Sequence, residues 1–389
     1  MAAWPEWARW PAQPIVGDWS VGAEEEVMLL DPASWQLAQA IDDVLPALSP
    51  ELTPSVSAET HAGALELATG PHRTTGGVTA ELTRLRERLV TELDGLGLRA
   101  AAAGTHPMAE WQDTEVSGGA RYQLLWGTLR DLARREPTFA LHVHVAVRDA
   151  ELAMDVANRL RAHLPLLLAL SANSPFWRGR DSGLASTRSP HFHAFPRAGV
   201  PRRFHSYADW VETVATLIDA GAFPEPTFLW WDVRLQPRFG TVEVRIMDAQ
   251  SSLRDVGALV ALTQAVARLE GEERFASEAL LDAPEVLAEN RFLAARDGVD
   301  AELVDPAVRR RARHRRGARA PRRGAPPRAR PRRPTRARRG ARAPRRAAGR
   351  APARAGPPRR RPARGGRDPQ RRLHARRLSL PRLSGSIDG

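Results

Sequence analysis

Three consecutive carboxylates, Glu24, Glu25 and Glu26, follow Gly22 and Ala23 in the run GAEEEVMLL. Side chains alternate along an extended strand, so Glu24 and Glu26 share one face and Glu25 takes the other. Two carboxylates side by side repel each other. A bound divalent cation with oxygen ligands removes that repulsion, and a solvated edge strand with arginine partners tolerates it. The same period recurs in LHVHVAV, where His142 and His144 share a face opposite Leu141, Val143 and Val145. A packed histidine pair and a nitrogen contribution to a metal site both fit. Glu66, between Leu65 and Leu67 in ALELATG, reads on its own as an exposed strand residue. The stretch WWDVRLQPRFGTVEVRIMD, residues 230–248, reads as two short strands turning around residues 237–240. Asp232 and Arg234 share a face of the first strand, and Glu243 and Arg245 share a face of the second. Such neighbours are either cross-strand ion pairs of small energetic weight, or a carboxylate that holds metal beside a guanidinium that forks onto a nucleotide phosphate.

These side chains need strands to carry them, and strand signals fall at residues 21–30, 63–69, 98–104, 139–147, 228–235 and 241–247. Helical periodicity falls at 78–93, 121–135, 150–171, 207–220, 253–269 and 284–296. Strands that alternate apolar with charged residues suit an antiparallel sheet with one polar face better than a parallel sheet buried on both sides. The fold class expected is therefore α+β.

Composition removes several chemistries. The chain has no Cys, hence no thiolate nucleophile and no cysteine zinc site, and no Lys, hence no Walker A loop and no Schiff base. All 58 basic residues are Arg, and they are unevenly placed. Residues 308–389 carry 31 Arg against Asp368 and Asp388, a net charge of +29, whereas residues 1–307 carry a net charge of −16. Arg, Ala, Pro and Gly make up 67 of the last 82 residues, which cannot bury a core. The codons of those four amino acids begin with two G or C bases, so this tail reads as an out-of-frame translation of a GC-rich gene. Residues 1–19 read as an N-terminal extension in which Trp4, Trp7 and Trp10 form a turn packing on its own domain, and 20–307 as the catalytic domain. His191, His193 and His205, set around Pro190 and Pro196, read as surface or hydrogen-bonded residues. No signal-peptide pattern opens the chain, and its longest apolar stretch, 164–170, is interrupted by Pro165 and far short of the roughly 20 residues that span a bilayer. A cytoplasmic protein without membrane contact is expected.

Taken together, GAEEEVMLLDP from Gly22, ELATGPHR from Glu66, HVHV from His142, NSPFWRGRDSGLASTR from Asn173, FPRAGVP from Phe195, and WDVR with TVEVRIMD from Trp231 resemble the bacterial ATP-dependent carboxylate-amine ligases of the glutamate-cysteine ligase type 2 family. The resemblance covers about residues 15–305. It implies a glutamine-synthetase-like fold, in which a curved, mainly antiparallel sheet backed by helices carries the site on its concave face. It implies ATP and Mg²⁺ as cofactors and amide formation through an acyl phosphate, with weak joining of glutamate or a similar carboxylate to cysteine or another amine. By the same resemblance Glu24, Glu26, Glu66 and Glu243 are metal ligands, and His142 or His144 adds a nitrogen. Arg245 faces the γ-phosphate, and Arg188 and Arg234 contact substrate carboxylate or phosphate. Arg245, Glu26 and Glu243 carry catalysis. Family members continue beyond NRFLAARDGVDAELVDP, from Asn290, into further helices and a final polar segment, where this chain has its arginine-rich tail. Two other readings follow from that departure: an inactive remnant of the family, or a nucleic-acid-binding protein acting through the tail. A homo-oligomer is compatible with every reading.

Overall fold

The computed structural model of the protein describes residues 4–135 and 137–313. Its centre is a seven-stranded sheet. The strands are β1 (Val21–Leu30), β2 (Val56–Ala58), β3 (Ala64–Ala68), β4 (Arg99–Ala101), β5 (Ala140–Ala146), β6 (Val233–Gln236) and β7 (Thr241–Asp248). They run in the order β6-β7-β5-β1-β3-β2, with β4 pairing to the far end of β1, and every pairing is antiparallel.

One face of this sheet is covered by helices: α1 (Thr75–Gly95), α2 (Ala150–Leu160), α3 (Leu164–Ser171) and, further along, α5 (Leu253–Glu272), with α4 (Tyr207–Asp219) packed beyond α2. The alternation in the strands explains this. Val21 and Ala23 of β1, Leu141, Val143 and Val145 of β5 and Val242 and Val244 of β7 form one apolar cluster with Val78 and Leu82 of α1, Val156 and Leu160 of α2, Leu168 of α3 and Val260 of α5. Helix α1 repeats its buried leucines at helical spacing, and Thr74 caps its start by accepting from the Gly77 N–H. Helix α6 (Pro284–Asp297) packs on α3. Glu25 also lies on the helix-covered face, fully buried, where Arg86 of α1 donates to both carboxylate oxygens at 2.8 and 2.7 Å.

Three expected elements are broken, each for a local reason. The helix expected over 150–171 is two, because the chain turns at 161–163 and Pro165, which has no N–H to give, stands in the first turn of α3. The helix expected over 121–135 divides into Ala120–Leu129 and Leu132–Arg135 at Arg130, which has a left-handed φ of 55°. The strand expected over 228–235 breaks at Asp232. Its N–H is bonded to Gly199 O and its carbonyl accepts from Arg245 N, so Trp230–Trp231 pairs with Ala198–Gly199 and only β6 joins the main sheet.

The N-terminal segment packs against α4. Trp7 stands edge-on to Trp210 at 5.7 Å, Tyr207 Oη donates to Ala8 O at 2.6 Å, and Trp10 Nε1 donates to Val147 O at 2.9 Å. At the other end Glu302–Asp305 pairs with Arg310–Arg313 in a hairpin that straddles the change in composition near residue 307, and the Asn290 side chain exchanges two hydrogen bonds with Val304. The rest of the arginine-rich tail lies outside the described residues. Among the described residues, no helix is long and apolar enough to cross a membrane.

Candidate active site

The face of the sheet opposite the helices gathers the charged residues by register alone. Glu24 stands opposite His142, Glu26 opposite Glu66, His144 opposite Glu243, and Glu243 opposite Arg234. Cross-strand partners of this kind sit about 5 Å apart at Cβ, so six potential metal ligands from four strands meet on one patch. His142 is at its centre. Its Nδ1 lies 3.3 Å from Glu24, 3.9 Å from Glu66 and 4.0 Å from Glu243, and its Nε2 lies 3.6 Å from Glu26. His144 Nε2 is 3.2 Å from Glu24, and His144 Nδ1 is 2.9 Å from Thr241 Oγ1.

The guanidinium groups lie on one side of the patch. Arg234 Nε donates to Glu243 at 2.6 Å, and its NH1 donates to the carbonyls of Thr227 and Leu229 at 2.9 Å. Arg245 donates to the other Glu243 oxygen and keeps a buried Nε without a partner. Between Val244 and Met247 the β7 ladder slips past β5, a bulge that falls on Arg245 and Ile246. Arg188 occupies the gap, its two terminal nitrogens donating to the carbonyls of Ile246 at 3.1 Å and Arg245 at 3.2 Å. In this structure Arg188 and Arg234 are thus engaged with protein groups that fix Arg245 and Glu243. Asp248, buried at the end of β7, accepts from Asn173 N, Ser174 Oγ and Ser186 Oγ at 2.7–2.9 Å, which anchors the segment leading to Arg188. Asp232 does not join the patch; its carboxylate turns to Arg291 of α6, at 2.7 Å.

The electrostatics divide the patch in two. Burial pushes Glu24 and Glu243 up, but His144 and His142 outweigh it at Glu24, and Arg234, Arg245 and the two histidines outweigh it at Glu243, so both carboxyls are held well below the usual range. His144 is raised because Glu24 and Glu243 more than offset its burial. On the other half burial and the neighbouring acids win. Glu26 is raised to about 8, by burial first and Glu59 second, and Glu66 is raised well above the ordinary range by burial, Glu24, Glu59 and Glu26. Burial, aided by Arg245, lowers His142 to about 4, which leaves the imidazole neutral and able to ligate.

Glu59 belongs to this half and was not singled out by sequence patterning. It lies one residue past β2, a strand too short to show a period, and burial raises its carboxyl too.

The residues present fit divalent cations. Glu24, His142 and Glu243 form one group, and Glu26, Glu66 and His142 another, whose ligand atoms within each group all lie within 4.8 Å of one another. The Nε2 atom of His142 is buried without a hydrogen-bond partner, and carboxylate-rich donor sets with an imidazole suit Mg²⁺ or Mn²⁺. Beside Glu24 and His144 opens a cavity of about 300 Å³, walled by Ile15, Pro71, Ala146 and Phe239, large enough for the body of a small ligand.

Fold and patch together describe an α+β protein, a mainly antiparallel sheet with helices on one face and a carboxylate- and imidazole-rich patch on the other. The family description "Glutamate-cysteine ligase family 2" matches residues 20–377, and the chain belongs to that family. It is 39% identical over 298 residues to the "Putative glutamate--cysteine ligase 2-1" of Rubrobacter xylanophilus, covering 75% of this chain and 77% of that protein. It is 39% identical over 299 residues to the "Putative glutamate--cysteine ligase 2" of Sorangium cellulosum, covering 74% and 78%. Among solved structures, the fold is similar to glutamate-cysteine ligase from Francisella tularensis in complex with AMP, at a TM-score of 0.54 and 13% identity over 75% of this chain and 74% of that one. It is also similar to a bifunctional glutathione synthetase from Pasteurella multocida, at a TM-score of 0.55 and 14% identity over 71% of this chain and 42% of that one.

Proposed function

We propose that the protein is an ATP-dependent carboxylate-amine ligase that joins glutamate, or a similar carboxylate, to an amine, with cysteine the first amine to test. In the reaction a carboxylate oxygen of the acid attacks the γ-phosphorus of ATP, the bond to the β,γ-bridging oxygen breaks and ADP leaves. The amine then attacks the acyl carbon, loses a proton and expels phosphate. Support comes from the relatives' names, from the AMP held by the Francisella protein, and above all from one observation: four carboxylates and two imidazoles converge with Arg245 on one sheet face.

Mg²⁺ would be held by Glu24, His142 and Glu243 and by Glu26, Glu66 and His142, and would supply neutralisation of the phosphate charge. Arg245 offers an unpartnered Nε as a donor for the transferred phosphoryl group, where a charged donor stabilises developing negative charge. Arg234 keeps Glu243 ionised and fixed, and Arg188 holds the carbonyls of the bulge that aims Arg245. His144 and the adjoining cavity wall place the body of a substrate beside the patch. A supply of ATP makes the cytoplasm its setting.

The test is ADP release from ATP and Mg²⁺ in the presence of glutamate and a panel of amines that includes cysteine, for the wild type and for Glu26→Ala. ADP formation that needs both acid and amine and disappears in the variant is expected. Turnover that persists in a folded Glu26→Ala protein refutes the assignment of the patch.

A further inference from the structure

A second cavity, of about 460 Å³, lies away from the carboxylate patch between α6, the turn after α2 and the short helix Arg188–Phe192. Its lining contains Arg161, Arg202, Arg291 and His193 and no carboxylate at all, in a domain whose net charge is −16. Two of these cations are already matched. Arg291 is bonded to Asp232, and Arg202, at the mouth, to both oxygens of Asp209.

Arg161 is not matched. It is 2% exposed, its NH1 reaches only the Leu281 carbonyl at 3.2 Å, its Nε has no partner, and among the described residues no carboxylate forms an ion pair with it. Ser189, 1% exposed on the same wall, has a side-chain oxygen equally without a partner. Buried donors left unsatisfied cost free energy, and two such residues on one lining leave the cavity wall short of an acceptor. Burial, with Arg203 nearby, outweighs the field of Asp282, which is itself paired with Arg203, and pushes Arg161 down to about 10, the direction that an anion beside it reverses. The remaining wall is apolar, with Val200, Pro201, Ala288 and Phe292.

We propose that this cavity binds a small organic anion, with its carboxylate or phosphate head on Arg161 and Ser189 and its apolar body against Val200, Pro201 and Phe292. A planar guanidinium suits either head, and the volume suits a compact ligand. The chain's own tail is a poor occupant, because residues 308–389 carry 31 Arg and two acids. The proposal is independent of the ligase chemistry, since none of these lining residues belongs to the patch.

Calorimetric titration of the full chain with phenyl phosphate, benzoate and the neutral benzamide tests it. At least one of the two anions binds and benzamide does not; which anion binds more tightly separates a phosphate ligand from a carboxylate one. Arg161→Met weakens binding roughly tenfold to a hundredfold. Removing a buried arginine can also unsettle the fold, so Ala288→Glu, at an exposed position of α6 on the cavity lining, is the second variant, and it weakens anion binding by a similar factor. Glu24→Gln, on the carboxylate patch, leaves binding unchanged. Equal binding of benzamide, undiminished binding in Ala288→Glu, loss of binding in Glu24→Gln, or no binding of either anion overturns the proposal.

Discussion

Raising the pH on protein stripped of divalent cations is expected to destabilise it, and Glu26 sets the size of the effect. A carboxyl that titrates at about 8 in the fold and near 4.5 when free keeps its proton in the folded state over a range where the unfolded chain has lost it. Below the lower value both states are protonated and nothing is lost. Between the two values stability falls by roughly 1.4 kcal/mol per pH unit, and above the upper value it levels off. From about pH 6 to pH 8 the loss is roughly 2–3 kcal/mol, or a fall in Tm of about 5 °C or more for a domain of this size. Mg²⁺ or Mn²⁺ reverses the sign of the problem by taking the ionised carboxylate as ligand, so the gap between metal-loaded and EDTA-treated Tm widens as pH rises. Cation binding near neutrality then expels about one proton for Glu26. Thermal unfolding of wild type and Glu26→Gln across this range, with and without Mg²⁺, reads the first effect, and titration calorimetry in two buffers of different ionisation enthalpy reads the second. If EDTA-treated wild type and Glu26→Gln show the same slope against pH, Glu26 is not the buried, protonated acid described here.

Other perturbations follow from single contacts. Arg188→Met removes the donors to the carbonyls of Arg245 and Ile246, so turnover should fall by about 10²-fold while the circular dichroism spectrum stays native; unchanged kcat would mean that the bulge holds without its clamp. Glu270→Ala takes from the buried Arg159 one of its two carboxylate partners, leaving Glu278, also frees His163, and should cost about 1–3 kcal/mol in urea unfolding. Gly104→Ala would set a Cβ 2.6 Å from Asp248 Cγ, and the resulting shift should lower stability by about 1–3 kcal/mol, measured by the same denaturation.

The polar face was legible because it rests on a local rule. The period of two along β1, β3, β5 and β7 places Glu24, Glu26, Glu66, His142, His144 and Glu243 on one side, and β1 was expected over the residues it occupies. The pairing that turns separate motifs into a patch depends on register between distant strands, which no single strand encodes. The bulge at Arg245 and Ile246 was not legible, because Arg188, which satisfies its carbonyls, is 57 and 58 residues away in sequence. Arg234 and Asp232 looked like neighbours on one strand face. Asp232 is instead drawn to Arg291, 59 residues along, a partner visible only once α6 is docked.

The three glutamates of β1 give the polar side of the strand little say in its alignment. Shifted by one residue against β3 and β5, it would still present a glutamate to the patch, but would turn Glu24 and Glu26 into the apolar layer beneath. Two things distinguish the alignments: the slip would turn Val21 and Ala23 out of the apolar cluster, and Arg86, 61 residues along on α1, pairs with a single carboxylate there while its remaining contacts go to the carbonyls of Gln250 and Ser251. The arrangement of charge on the reactive side of the sheet is therefore proofread from its reverse side, and a substitution of Arg86 would be felt as misaligned strands before it was felt as lost chemistry.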